Sequence, residues 1–142
     1  MSAFDAAEQA LLDLVFLATA WANVADNAAT SALTNLHASL HTADPGESGN
    51  LSTNEATYTS YARQNVARSG AGFARTGSTI NPVADVVFPE GSGGSGTITH
   101  FALGKTGGGS AEGFVSGTFT PNISSGLNIT PKLKSTTAIT ID

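Results

Sequence analysis

Residues 33–41 read LTNLHASLH, and this stretch decides how the rest of the chain is interpreted. Leu36 and Leu40 fall on one side of an extended chain, whereas His37 and His41 fall on the other. Alternation with a period of two predicts a half-buried β-strand, because successive side chains of a strand point to opposite faces.

The same alternation recurs toward the C-terminus, with turn sequences between the runs. Asp44-Pro45-Gly46 closes the first strand, because proline presets φ and glycine tolerates positive φ. Further short strands are predicted over residues 57–67, 72–75, 78–80, 84–88, 97–103, 113–119, 127–129 and 138–141. This spacing predicts a mainly β fold, namely a single β-sandwich or jelly-roll-like domain.

A short N-terminal α-helix is predicted before the β region, within residues 1–22. Its apolar side chains recur at the i, i+3, i+4 spacing of one helix face. The apolar face of this helix must be covered, either by the chain's own domain or by a neighbouring subunit. We therefore divide the chain into an N-terminal helix and arm over residues 1–32 and a β-sandwich domain over residues 33–142.

The composition argues against several partners. Charged residues make up 12% of the chain, against about 25% in an average soluble protein, and the net charge is −5. The six Lys and Arg are dispersed, so we expect no nucleic-acid partner, which would require a basic patch. The apolar stretch over residues 10–22 is too short to cross a bilayer and is broken by Asp13, so we expect no membrane partner. The chain has no cysteine and hence no disulfide.

No constellation of residues predicts an enzyme, a cofactor site or a metal site. His37 and His41 on a strand would lie about 13 Å apart, at ~3.3 Å per residue, too far to share one ion. We expect surface or interface histidines; a metal shared between subunits on a symmetry axis is the alternative. Residues 91–96 (GSGGSG) fit a dinucleotide-binding pattern, but a strand follows instead of the required helix, which favours a flexible hairpin loop.

Large apolar and Tyr/Arg side chains predict contacts with partner subunits, since such residues are typical interface anchors. Tyr61 and Arg63 share one side of their predicted strand. The candidate interface residues are Phe4, Leu11, Leu12, Val15, Phe16, Trp21, Tyr61 and Arg63.

Several segments together resemble a family of small tailed-phage virion proteins, commonly labelled as tail fibre proteins. They are ALLDLVF at residues 10–16, LHTADPGESG at 40–49, YTSYAR at 58–63 and TITHF at 97–101. This chain departs from the family by about ten extra residues around 23–32 and by Ser60, where glycine is usual.

The resemblance implies a non-enzymatic structural protein of a tailed-phage virion. The chain has no repeat or heptad typical of a fibre shaft, and its size and β character are similar to those of capsid decoration (cement) proteins. We therefore expect a decoration protein, a homotrimer that binds the major capsid protein on the outer capsid surface and is assembled in the host bacterial cytoplasm. The alternative is a tail fibre or tail-tip protein involved in host attachment.

Overall fold

The computed structural model describes residues 5–21, 25 and 32–140. The fold is mainly β, with one short N-terminal helix and several antiparallel sheets, consistent with a β-sandwich, so the predicted fold class is confirmed. The elements are α1 (Asp5–Phe16), β1 (Asn35–His41), β2 (Gln64–Ala67), β3 (Phe73–Thr76), β4 (Thr79–Pro82), β5 (Val86–Val87), β6 (Ser95–Gly104), β7 (Gly113–Gly126), β8 (Lys132–Leu133) and β9 (Ile139–Thr140).

The chain forms two compact units. Unit 1 comprises Met1–Asn35, Val66–Asp85 and Lys134–Asp142, and unit 2 comprises Leu36–Asn65 and Val86–Leu133. The division at residues 32 and 33 stays a prediction. No helix within the described residues has the length and apolar character needed to cross a membrane.

Unit 1 packs α1 with the antiparallel sheet β3-β4-β9. Leu12 and Phe16, four residues apart on one face of α1, are fully buried, and the Phe16 ring contacts the Phe73 ring edge-on at 4.9 Å between centroids. Asp13, which interrupts the apolar pattern of the helix, forms an ion pair with Arg75 of β3.

Arg68 satisfies carbonyl groups at the C-terminal end of α1. Its guanidinium donates to the Val15 oxygen at 2.7 Å and also to the Leu14 oxygen. The last carbonyls of a helix lack intrahelical partners, and a cation there also interacts favourably with the helix dipole. Residues 1–4, which include Phe4, and residue 22 of the predicted helical segment lie outside the described residues.

The four-stranded sheet has the order β2-β1-β6-β7. β1 is antiparallel to β6, from His37 opposite Gly104 to His41 opposite His100, and β6 is antiparallel to β7. β5 and β8 form a separate antiparallel pair. The buried residues of unit 2 include Leu36, Leu40, Leu51, Ile98, Leu103 and Leu133.

The prediction that β1 is half-buried with surface histidines is wrong for its second half. Ser39 and His41 are both fully buried, together with Leu40 between them. The reason is the segment that follows β1: its Ala56 amide donates to the Leu40 oxygen at 2.8 Å, and its Thr53 oxygen lies 2.8 Å from His41 Nδ1. This segment covers the face that the alternation assigned to solvent.

The prediction of a hairpin loop over residues 91–96 is also wrong. β5 pairs with β8 and not with β6, so the loop connects strands of different sheets. The Gly91 amide donates to the Ile129 oxygen at 2.9 Å, and the Ser92 amide donates to the Thr59 oxygen at 3.1 Å. Of the other predicted strands, residues 57–67 contribute only β2, residues 127–129 form none, and β8 was not predicted.

Candidate interaction site at the loop end of unit 2

Arg63 and Glu55 form the centre of the candidate site. Arg63 Nε lies 2.7 Å from Glu55 Oε1, and Nη2 lies 2.7 Å from Oε2, so the guanidinium and carboxylate meet in the forked geometry of a strong ion pair. The Arg63 side chain is 6% exposed and that of Glu55 is 17% exposed. Hydrogen bonding to Glu55 raises the pKa of Arg63, and burial opposes this rise.

Tyr61 completes this cluster. Its hydroxyl donates to Glu55 Oε1 at 2.8 Å and accepts from the Leu40 amide at 3.1 Å. Burial raises the pKa of Tyr61 far above its ordinary value, so the phenol stays neutral and able to donate. Its ring stacks with that of Phe88 at 6.3 Å and meets Tyr58 edge-on at 5.4 Å. We call Glu55, Tyr61 and Arg63 the anchor cluster.

The anchor cluster holds the loop between β6 and β7, residues 105–112. Arg63 Nη2 donates to the Gly109 oxygen at 2.9 Å and to Ser52 Oγ at 3.1 Å. Ser52 Oγ in turn donates to the Gly109 oxygen at 2.6 Å, and the Leu51 amide donates to the Ala111 oxygen at 2.9 Å. These hydrogen bonds join the glycine-rich loop to the segment after β1. Because the loop is already held in place, less conformational entropy would be lost when it binds a partner.

An open cleft of about 390 Å³ lies beside these loops. Its lining combines carboxylates, an amide and apolar side chains: Asp44, Pro45, Gly46, Glu47, Gly49, Asn50, Leu51, Ala102, Gly113, Phe114, Val115 and Ser116. Asp44 Oδ1 accepts from the Gly46 amide at 2.8 Å, which fixes the turn that forms one wall. A concave site with a few polar groups is suited to binding. Among the residues that the structure describes, no basic side chain lines this cleft.

Two histidines lie near the anchor cluster. Within the described part of the chain, the buried Nδ1 atom of His37 has no hydrogen-bond partner of good geometry. The His37 ring packs against Gly107, where an added Cβ would approach Cδ2 to 2.9 Å. Burial lowers the pKa of His37, and the charge of Arg63 lowers it further. Burial also lowers the pKa of His41, although the Thr53 oxygen and Glu55 oppose this effect.

The contact between Ser39 and His41 does not present an exposed reactive group. Ser39 Oγ lies 2.8 Å from His41 Nε2, but both residues are fully buried and out of reach of a substrate. Among residues 5–21, 25 and 32–140, no group of three His, Asp or Glu side chains could hold a metal ion.

The predicted interface residues fall in different places. Leu12 and Phe16 are buried within unit 1, Leu11, Val15 and Trp21 are half-buried, and Phe4 lies outside the described residues. Tyr61 and Arg63, which the alternation placed on one side of a strand, precede β2 and lie in no strand; both hydrogen-bond to Glu55 of their own chain. Their role in an interface stays a prediction. No sequence pattern pointed to Glu55, although it stands eight residues before Arg63 and carries the opposite charge.

The protein is mainly β, and its sheet carries tethered loops beside an open cleft. Loops held on a sheet are a common location for binding residues. A family model described as "Podophage GP4 fiber I protein gp80" matches residues 2–115, and the chain belongs to this family. It is therefore a structural protein of the bacteriophage virion. A search of curated proteins found no match to this chain.

Proposed function

We propose that this protein is a fibre component of a tailed-phage virion and acts in attachment to the host cell. The observation that carries the proposal is the match of residues 2–115 to the family described as a podophage fibre protein. Capsid decoration through the major capsid protein, which the sequence alone favoured, is supported by small size and β character, and these are equally compatible with a fibre component.

We assign recognition to the surface of unit 2 that is formed by the loop between β6 and β7 and the neighbouring cleft. Residues 105–110 are exposed, and the anchor cluster fixes the backbone beneath them. The neighbouring cleft adds Glu47 and Phe114 as exposed side chains of different chemistry. Binding residues on loops that a rigid sheet positions are the usual arrangement in recognition proteins.

Cryo-electron microscopy of the intact virion tests the location. We expect density for this chain on fibres at the tail. Density repeated over the capsid lattice would overturn the proposal and would restore the decoration function, with the major capsid protein as partner.

Competition with phage adsorption tests the recognition surface. Purified chain should slow adsorption of the phage to its host, and Glu47→Lys should abolish this competition because it reverses a charge in the cleft. Glu90→Lys is the matched control, since Glu90 is also exposed but does not line the cleft. Equal competition by both variants would exclude the cleft from recognition.

A further inference from the structure

His37 lies directly against the backbone of the loop between β6 and β7. It pairs on β1 with Gly104, the last residue of β6 before that loop. A Cβ added at Gly107 would lie 2.9 Å from Cδ2 of the ring and 3.0 Å from Nε2, so only a residue without a side chain fits there. Among the residues that the structure describes, none offers a hydrogen-bond partner of good geometry to the buried Nδ1 atom. Packing therefore holds the ring in place, and this packing is suited to a neutral imidazole.

Arg63 contacts the same stretch of the loop as His37 does. Its Nη2 donates to the Gly109 oxygen at 2.9 Å, and its Nη1 lies 3.5 Å from the Thr106 oxygen. Burial lowers the pKa of His37 and the charge of Arg63 lowers it further, whereas the Lys105 backbone opposes both effects. A proton on His37 would place a second cation beside the one that tethers the loop.

The other titratable groups of this region do not neutralise such a proton. The Glu55 carboxylate is paired with Arg63, and the Glu112 carboxylate lies 3.9 Å from Lys105 Nζ. Residues 106–111 of the loop carry no charge. His41, on the same side of β1, is fully buried, and burial lowers its pKa as well. In the described chain, a protonated His37 therefore gains no carboxylate of its own.

We propose that mild acid releases residues 105–112 from the anchor cluster through protonation of His37, so that the loop is closed at neutral pH and open in acid. Opening exposes the ring to water, where histidine titrates near ~6.5. Because the closed loop binds the proton less well than the open loop does, the ratio of open to closed loop should grow below that pH, by up to about tenfold per pH unit. An effect of opening on host recognition rests on the proposed function, whereas the opening itself does not.

A nitroxide spin label on the full chain measures the mobility of the loop. The chain has no cysteine, so Ser110→Cys provides one exposed attachment site in the loop and Thr57→Cys provides one outside it. Between about pH 7.5 and about pH 5.5, we expect the label at position 110 to become more mobile and the label at position 57 to stay unchanged. His37→Gln should abolish this response, and His100→Gln, the matched control on β6, should retain it. Equal loosening at both positions, or release that persists in His37→Gln, would overturn the inference.

NMR titration of the His37 ring keeps the test decisive if His37→Gln does not fold, as circular dichroism would reveal. By linkage, a change that opens the loop must also raise the pKa of His37 toward its ordinary value. Gly107→Ala should do so, because its Cβ would meet the ring, whereas Gly108→Ala is the matched control with nothing within 4 Å of its Cβ. A His37 pKa that is equal in the two variants, or lower in Gly107→Ala, would contradict release through this contact.

Competition with phage adsorption, run at both pH values, separates the acid release from the proposed function. If the loop recognises the host, the purified chain should compete less at the lower pH, and His37→Gln should compete equally at both. Release of the label at position 110 without a change in competition would support the inference and count against recognition by this loop. An immobile label with pH-dependent competition would overturn the inference and leave the proposed function standing.

Discussion

Arg63 and Glu55 meet through two parallel hydrogen bonds, Nε to Oε1 and Nη2 to Oε2, each 2.7 Å long. The same Nη2 also reaches the Gly109 oxygen at 2.9 Å. The ion pair therefore connects the segment after β1 to the loop between β6 and β7, and the order of that loop depends on a carboxylate distant from it in sequence.

Replacing Glu55 by glutamine should lower the free energy of unfolding by about 3 kcal/mol. The substitution removes the counterion of Arg63, whose side chain is only 6% exposed. Arg63→Lys should cost less, about 1–2 kcal/mol, since it keeps the charge but loses the forked geometry. Urea unfolding measures both. The control is Lys134→Ala: its pair with Asp85 has a 63% exposed lysine, and the expected cost is at most about 1 kcal/mol.

Hydrogen exchange separates the loop from the rest of the fold. Glu55→Gln should speed amide exchange over residues 106–110 more than over β1, because the Arg63 guanidinium loses the carboxylate that positions it against the Gly109 oxygen. A uniform acceleration across both segments would mean that the ion pair stabilises the fold in general and does not specifically order the loop.

Replacing Ser60 by glycine should increase the stability of the fold. Its φ of 82° lies in the left-handed region, which costs a non-glycine residue about 1–2 kcal/mol, and the resembling family usually has glycine at this position. Ser60→Gly should therefore raise the free energy of unfolding by about 0.5–1 kcal/mol, after loss of the 2.6 Å contact between the Ser60 and Ser92 hydroxyls. Ser92→Ala removes the same contact without changing the backbone. If Ser60→Gly is no more stable than Ser92→Ala, backbone strain at residue 60 is negligible.

Periodicity predicted the fold class because it reports which side chains need burial. Leu12 and Phe16 lie four residues apart in the sequence and are both fully buried on α1, and β6 and β7 fall where alternation is longest. The two-residue strand β8 could not be predicted, since two residues carry no period, and its pairing with β5 depends on a contact between distant segments.

The candidate site was predictable only in part, for a related reason. Arg63 was recognised by residue type, whereas Glu55 becomes its partner because the segment after β1 folds back along the strand. The same segment buries His41, which the alternation assigned to a surface. A local pattern describes the faces of a strand, but it contains no information about an irregular segment that later covers one of them.

Gly117 and Gly113 offer a matched test of packing on β7. A Cβ at Gly117 would approach Cε1 and Cζ of Phe101, its partner on β6, to 2.7 Å, whereas a Cβ at Gly113 would meet Leu51 Cδ2 at an ordinary 3.6 Å. Gly117→Ala should lower the free energy of unfolding by about 1–3 kcal/mol, because the ring must move, and Gly113→Ala should be close to neutral. Thermal and urea unfolding of the two variants measure this difference. Equal stability would show that Phe101 shifts without cost.

We expect loss of stability in mild acid because of His41, which is fully buried, and His37, which is half-buried. Burial lowers the pKa of His41 and of His37 in the folded chain, whereas unfolded histidines titrate near ~6.5. The unfolded state therefore binds more protons below that pH, so the free energy of unfolding should be flat above about pH 6.5 and should fall below it, by up to about 1.4 kcal/mol per pH unit for each proton taken up. Urea unfolding between about pH 7.5 and 5 measures the slope. His41→Asn, whose Nδ2 stands where Nδ1 donates to the Thr53 oxygen, should make the slope shallower. A slope identical to that of the wild type would assign the acid sensitivity to other groups.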